Sequence, residues 1–179
     1  YSSDDSYALD LLESILSHGK SSRLYQSLVY DQKMALAVGA DYSLLQTDPG
    51  LFYFYAVVNP GTKVEAVEEA LQREVLRLQN EPPSELELQR AKNQVEASRV
   101  FEQDSNFRHA MLMGQAETVG AGWRRINQFV EHIRAVTAQD IQRVAKQYLT
   151  PDSRTTGILI PLPPKPPESP SSSTHDGKS

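Results

Sequence analysis

The sequence contains no cysteine among its 179 residues. Disulfide bonds, thiolate metal ligands and cysteine nucleophiles are therefore excluded, while the redox state of the compartment stays open. Acidic residues outnumber basic ones by 23 to 18, and this net charge of −5 argues against sequence-independent nucleic-acid binding. No apolar run is long enough to predict a membrane span. With 39% hydrophobic and 23% charged residues, the composition predicts one globular domain with its own core.

Motifs for metal, nucleotide and nucleophilic chemistry are missing as well. None of the four histidines lies in an H-x-x-E-H motif or four residues from another histidine, so no helical zinc pair is predicted. The sequence has no Walker loop, no G-x-G-x-x-G and no G-x-S-x-G. Its carboxylates follow helix-surface patterns, and none stands out as half of a catalytic pair. We therefore predict no catalytic residue and no metal ligand in this chain.

The first third of the sequence predicts helices that lead into a small sheet. Apolar residues repeat at helical spacing over residues 5–17, and a second helix follows almost directly. Residues 34–43 then alternate with a period of two, which predicts a strand with Leu36 and Val38 on the same face. Residues 51–58 are apolar throughout and predict a second strand, antiparallel to the first and covered on both faces.

Helices dominate the rest of the folded part. Thr62 with Glu65, and Ser84 with Glu87, have the capping-box spacing in which side chain and backbone satisfy each other at a helix start. A short final strand is predicted over residues 154–160. Further helices are predicted to start at Asp104 or Ser105, near residue 122, and at Thr137.

The composition changes after Pro161. Residues 162–179 are rich in Pro and Ser and have no apolar periodicity, so we predict an extended tail that serves as a linker or terminus. A ligand for a proline-binding module is the alternative for this segment. The predicted organisation is a folded domain over residues 1–161 and a tail over 162–179. Because the sequence begins at Tyr1, we expect a longer polypeptide with any targeting segment upstream.

Two stretches carry a resemblance to a known family. Residues 11–40 read LLESILSHGKSSRLYQSLVYDQKMALAVGA, and residues 137–149 follow the pattern T-x-x-D-I-x-x-V-A-x-x-Y-L. The first resembles the segment that opens the second half of the pitrilysin/insulinase-type (M16) zinc peptidases, a group that includes mitochondrial processing peptidase. The resemblance extends over residues 5–161 and leaves out only the ends of the chain.

The resemblance implies an α+β fold, with a mostly antiparallel sheet packed by helices on one side. Two such domains close like a clamshell in this family. One carries H-x-x-E-H and a further Glu as zinc ligands, and the other has lost them. This sequence resembles the C-terminal, non-catalytic half of a bacterial enzyme, and it lacks the strands with which the family domain normally opens. Zinc would belong to the catalytic half, on the same polypeptide or a separate subunit.

The same resemblance implies two substrate-binding positions. Many members place an Arg and a Tyr around the junction between the second helix and the first strand, where they reach the active site of the opposite half. Tyr30 stands at the Arg position here and Leu36 at the Tyr position. Tyr30 is then expected to reach the peptide through its hydroxyl, and Leu36 to make contact only. The alternative is that Tyr30 is an ordinary amphipathic side chain at a helix end.

These observations lead to one main hypothesis and one rival. The main hypothesis is a substrate-binding, chamber-forming half of a zinc metallopeptidase that hydrolyses peptides, inactive by itself. Its partners would be the catalytic half and a peptide, with a homo-oligomer left open. The rival is a structural assembly subunit that kept the fold and has no peptidase role. The resemblance to bacterial proteins favours the periplasm as its location.

Overall fold

The structure is a computed structural model that describes residues 4–45, 50–103 and 105–161. The proline-rich segment 162–179 and most of the TDPG sequence at residues 47–50 lie outside this part. The described elements, in chain order, are α1 (Asp5–Ser17), a π-helix (Tyr25–Asp31), β1 (Ala35–Tyr42), β2 (Phe52–Val58), α2 (Val64–Asn80), α3 (Glu85–Gln103), α4 (Asn106–Thr118), α5 (Arg124–Ala135), α6 (Ala138–Tyr148) and a 3₁₀ turn (Pro151–Ser153).

Helix α1 lies at the centre of the molecule. It contacts β1 on one side and α3, α5 and α6 on the others. Its start is tied to α6 because Asp5 accepts hydrogen bonds from Arg143 (2.6 Å) and from the Tyr148 hydroxyl (2.8 Å). At its end, the Ser17 hydroxyl donates to the Ala40 carbonyl of β1 at 3.0 Å. The buried residues of α1 are Tyr7, Ala8, Leu9, Leu11, Leu12, Ser14, Ile15 and Leu16.

Strands β1 and β2 form an antiparallel pair with Gly39 opposite Tyr55. The inward residues pack against the helical core, whereas Tyr53, Tyr55 and Val57 on the other face of β2 are exposed. The α+β prediction, with antiparallel strands packed by helices on one side, is confirmed for a two-stranded sheet among the described residues. The prediction that residues 51–58 are covered on both faces, or nearly so, is wrong for the described part of the chain, because Tyr53, Tyr55 and Val57 leave one face of β2 more than half exposed.

Side-chain caps start three of the predicted helices. The Ser84 N–H donates to Glu87 Oε2 at 2.9 Å, and the Glu87 N–H donates back to Ser84 Oγ at 3.3 Å. Thr137 and Asp140 form the same reciprocal pair at the start of α6. At the start of α4, the Ser105 side chain accepts a hydrogen bond from the Arg108 backbone N–H. These caps satisfy backbone donors that a helix start leaves without intrahelical partners.

The predicted capping box of Thr62 with Glu65 is wrong. Helix α2 begins one residue later than that box requires, and its N-cap, Lys63, makes no side-chain cap. The Thr62 N–H instead donates to the Asn59 carbonyl at 3.0 Å, in a turn that contains Gly61 at φ +87°. The turn after β2 therefore places Thr62 outside the helix, where its side chain cannot cap α2.

The strand predicted over residues 154–160 is also wrong. This segment follows the 3₁₀ turn without pairing to β1 or β2. Its first residues bind α2 through side chains, since Arg154 lies 3.6 Å from Glu68 and the Thr156 hydroxyl donates to Glu68 at 3.0 Å. An apolar run such as residues 158–160 forms a strand only where another strand lies beside it. None of the described helices is long and apolar enough to cross a bilayer.

Candidate functional site

The SSRLY sequence anchors the start of the helix-to-strand junction. The Ser22 hydroxyl donates to the Gly19 carbonyl at 2.8 Å, and the next residue reaches across to α3. Arg23 donates from Nε and Nη2 to the two carboxylate oxygens of Glu87, at 2.8 and 3.1 Å. These bonds from Arg23, with those from Ser84, lower the pKa of Glu87 to about 2. The charged pair therefore stays formed at neutral pH and fixes where the junction begins.

The helix that follows is a π-helix over Tyr25–Asp31. Its end shows the wide hydrogen-bond pattern, since the Gln32 N–H donates to the Ser27 carbonyl five residues earlier, at 3.0 Å. Such a turn holds one more residue than an α-helical turn and rotates the following side chains around the axis. Within this helix, Leu28 points into the core and is buried, whereas Tyr30 has 66% of its surface exposed. The sequence predicted a helix here and gave no signal for its π geometry.

A tight turn at Lys33 joins the π-helix to β1. Lys33 has a positive φ of 52°, a left-handed conformation that costs a residue with a side chain about 1–2 kcal/mol. Asn59, just after β2, holds the turn from outside, because its side-chain amide donates to the Lys33 carbonyl at 3.0 Å. The Asn59 N–H also donates to the Met34 carbonyl, at 2.9 Å. The conformation of the turn thus depends on a residue that lies far along the chain.

A β-bulge at the start of β1 turns Leu36 outward. Ala35 pairs with Val58 and Ala37 with Val57, so that Leu36 is an extra residue in the ladder. Leu36 is 61% exposed. Simple alternation placed Leu36 on the same face as Val38, and that prediction is wrong. The inserted residue shifts the alternation by one, so that side chains before the bulge point to the opposite face from the one that alternation predicts.

These three irregular features surround one surface concavity of about 630 Å³, which we call the junction pocket. Tyr30 and Leu36, the two predicted substrate-binding residues, both line it. Tyr25 and Asn59 line it too, and neither was a predicted site residue. Tyr25 stands within SSRLY and had a sequence signal, whereas nothing in the sequence links Asn59 to the junction. The role of Tyr30 and Leu36 in substrate binding stays a prediction, since the structure gives only their position.

A metal ion has no evident ligand set in the described part of the chain. None of its clusters of His, Asp and Glu brings together three side chains that could hold one. His18 is the C-cap of α1, with its backbone N–H donating to the Ser14 carbonyl at 3.0 Å. The His132 ring stacks on Tyr7, with ring centroids 4.7 Å apart and planes inclined by 6°. The described residues therefore do not fit the zinc site of a peptidase.

A second concavity, of about 420 Å³, lies between α1, the end of β1 and helices α3 to α5. Glu13 lines it, and burial raises the pKa of this carboxyl, although the hydrogen bond from the Ser17 hydroxyl opposes the shift. The one proton of that hydroxyl is shared between Glu13 Oε1, 2.7 Å away, and the Ala40 carbonyl of β1, 3.0 Å away, so the pair has a packing role between α1 and the sheet. The second concavity shares no lining residue with the junction pocket.

The chain is similar to a known protein family. The family model described as the peptidase M16 inactive domain matches residues 1–95, which are 95 of the 179 residues and contain the whole junction. Among solved structures, the inactive peptidase domain of a proposed zinc protease from Bordetella parapertussis is 30% identical. The two superpose with a TM-score of 0.82, and the match covers 93% of this chain and 88% of that one.

Two curated proteins show how the chain compares with longer relatives. Zinc protease PqqE of Helicobacter pylori is 27% identical over 157 residues, which cover 88% of this chain and 35% of that protein. Mitochondrial-processing peptidase subunit alpha of Neurospora crassa is 28% identical over 161 residues, which cover 82% of this chain and 28% of that protein. The chain thus spans about a third of the length of the curated relatives that it matches.

Proposed function

The chain belongs to the family of peptidase M16 inactive domains, and from that premise we propose that it forms the substrate-contacting half of a two-part zinc peptidase. The catalytic half would supply zinc and the group that activates the attacking water. This half would close against the catalytic half and hold the peptide between the two. Because the chain spans about a third of its curated relatives, the activity of the whole protein is part of the proposal.

The observation that carries the proposal is the geometry of the junction. A π-helix, a left-handed Lys33 and a β-bulge follow one another within twelve residues, Tyr25 to Leu36. Each departs from regular structure, and Tyr30 in the π-helix and Leu36 in the bulge are exposed. Irregular backbone of this kind is over-represented at functional sites, where it aims side chains at a ligand. Here it brings Tyr30 and Leu36 to one concavity.

The proposed contribution of this half to catalysis is orientation. A peptide held extended between the two halves loses freedom before the reaction, and the bond to be cleaved is presented to the catalytic half in one geometry. The Tyr30 hydroxyl can donate to a peptide carbonyl, whereas Leu36 offers only apolar contact. Neither can supply the charge of the Arg that many relatives carry. The junction pocket would therefore position substrate and would not stabilise an anionic intermediate.

A reconstitution assay tests this function. Quenched fluorescent peptides are offered to this chain alone, to the catalytic half alone and to both together, each with zinc and with chelator. We expect chelator-sensitive cleavage only when the catalytic half is present, and kcat/KM that rises on adding this chain. The double variant Tyr30→Ala, Leu36→Ala should then lower kcat/KM about tenfold, since a truncated apolar contact typically weakens binding by that order.

The matched control is Leu51→Ala. Leu51 is as exposed as Leu36, at 61%, and does not line the junction pocket. Its truncation should leave kcat/KM unchanged. Equal losses for the control and the double variant would contradict a specific role for the junction pocket. Cleavage that does not depend on this chain at all would contradict the proposed function itself.

The second candidate is a structural assembly subunit without a peptidase role. The resemblance favours it, because it implies that many members of the family place a hydrogen-bonding pair that includes a cation where Tyr30 and Leu36 stand here. Stable association with the catalytic half and no cleavage in any combination would support this candidate. The same reconstitution assay therefore separates the two.

A further inference from the structure

We propose, resting on the function above, that the junction pocket selects a peptide carrying a bulky, uncharged apolar side chain. The pocket binds that side chain between the π-helix and the bulge. Tyr30 and Leu36 would then determine specificity, in place of hydrogen-bonding residues that hold the peptide backbone.

The composition of the lining is the first argument. The side chains that form it are mostly apolar or aromatic: Tyr25, Val29, Tyr30, Ala35 and Leu36. Leu36 and Tyr30 have 61% and 66% of their surfaces exposed to water, and both lie in the lining of the pocket. A ligand that covers both removes apolar surface from water, and this is the main source of favourable free energy that the lining offers.

Charge is the second argument. The charged residues of the lining are Asp31 and Lys33, which have opposite signs and stand two residues apart. Their electrostatic potentials largely cancel at a ligand placed between them, so neither a basic nor an acidic side chain gains from entering. A charged side chain would also lose water wherever it contacts the apolar part of the lining. An uncharged side chain avoids that cost, so the balance of charges favours it.

Size and attachment complete the argument. A concavity of about 630 Å³ has the volume of small-molecule sites and leaves room for a Leu or Phe side chain with part of its peptide backbone. Ala35 and Leu36, the first residues of β1, line the pocket, so an extended peptide that runs along the strand can direct one side chain inward. The pocket is therefore suited to a segment of peptide, with one side chain anchored.

The test measures binding to the 179-residue chain without the catalytic half. Four capped hexapeptides differ only at one central position, which is Leu, Phe, Asp or Lys, and each is titrated while backbone NMR shifts are followed. We expect the Leu and Phe peptides to bind at least about tenfold more tightly than the Asp and Lys peptides. The largest shifts should fall within residues 25–36. Leu36→Asn should remove the preference, and Leu51→Asn, a change of equal chemistry and exposure, should leave it intact.

Several results would overturn the inference. They are equal affinity for all four peptides, shifts centred away from residues 25–36, loss of the preference in both variants, or no binding at millimolar peptide. The reconstitution assay reports separately on the proposed function. Cleavage that needs this chain but ignores the central side chain would reject the selectivity alone, whereas binding with the expected preference and no cleavage in any combination would reject the peptidase role alone.

Discussion

Helix α1 and the junction that follows it are neighbours in the sequence and are built in opposite ways. Helix α1 is regular, and most of its 13 residues are buried. In the junction, the π-helix buries Leu28 alone, and the next turn and strand start are strained or bulged. Only a few residues around Gly19 separate them. The two segments show how one short stretch of chain can supply both a core and an exposed surface.

Helix α1 and the junction also differ in how their backbones are stabilised. Regular helices satisfy their own backbone, and their apolar faces are free to pack. The junction keeps its backbone in place by contacts from elsewhere: Glu87 of α3 binds Arg23, and Asn59 after β2 binds the Lys33 turn. Irregular backbone persists only when its surroundings fix it. Exposed Tyr30 and Leu36 are therefore held in place without contributing much to the core.

The largest expected effect separates two leucines. Leu16 in α1 has no exposed surface, and Leu16→Ala should lower the free energy of unfolding by about 2–5 kcal/mol, through lost burial and the cavity left behind. Leu36→Ala should change it by less than about 0.5 kcal/mol, since Leu36 is already 61% in water. Urea denaturation followed by circular dichroism measures both. A loss at Leu36 as large as at Leu16 would show that the bulge carries part of the core.

The second effect concerns the ion pair that anchors the junction. Hydrogen bonds from Arg23 first, and then from Ser84, lower the pKa of Glu87 from 4.5 to about 2. The charged carboxylate therefore stabilises the fold fully above pH 4.5 and loses this contribution as pH falls towards 2. The Glu87 side chain is 35% exposed, which screens the pair, and we expect Glu87→Gln to cost about 1–2 kcal/mol at pH 7.

The pH dependence of that cost is the decisive measurement. Gln at position 87 can still serve as the capping-box partner of Ser84, so the variant removes mainly the charge. The difference in unfolding free energy between wild type and Glu87→Gln should shrink as denaturation is repeated from pH 7 down to pH 2. A difference that stays constant over this range would mean that the pair with Arg23 does not contribute through its charge.

The regular part of the fold was largely predictable from sequence. Ser84 and Thr137 start helices because their own side chains and those three residues later supply the cap, so the signal is local. The same spacing at Thr62 gives no cap. The preceding turn has Gly61 at positive φ, and in it the Thr62 N–H donates to the Asn59 carbonyl instead of to Glu65. A local pattern predicts a cap only when the neighbouring turn leaves its groups available.

The junction was predictable only in part. The resemblance pointed to Tyr30 and Leu36, and the structure brings both to one pocket. The bulge that exposes Leu36 depends on pairing with Val58, and the Lys33 turn depends on Asn59. These partners are more than twenty residues away in sequence, so periodicity within the strand could not reveal them. Alternation instead placed Leu36 on the wrong face.

A smaller loss of stability is expected from removing the cap of a regular helix. Thr137→Ala removes a formed capping box at the start of α6 and should lower the unfolding free energy by about 1 kcal/mol. Thr62→Ala has the same chemistry at a position without a cap and should stay within about 0.5 kcal/mol of wild type. Thermal denaturation of both variants at one pH makes the comparison. Equal losses would show that Thr62 caps α2 in solution.

The smallest expected change is at the Tyr30 hydroxyl, and it distinguishes two ways in which the junction can hold a peptide. Tyr30 is 66% exposed, so Tyr30→Phe should leave the unfolding free energy within about 0.5 kcal/mol of wild type. If the ring supplies the contact, Tyr30→Phe should keep the affinity for the Leu hexapeptide, and Tyr30→Asn should weaken it several-fold. Equal weakening in both variants would show that the Tyr30 hydroxyl binds the peptide by a hydrogen bond. Apolar contact with the ring would then not explain the affinity.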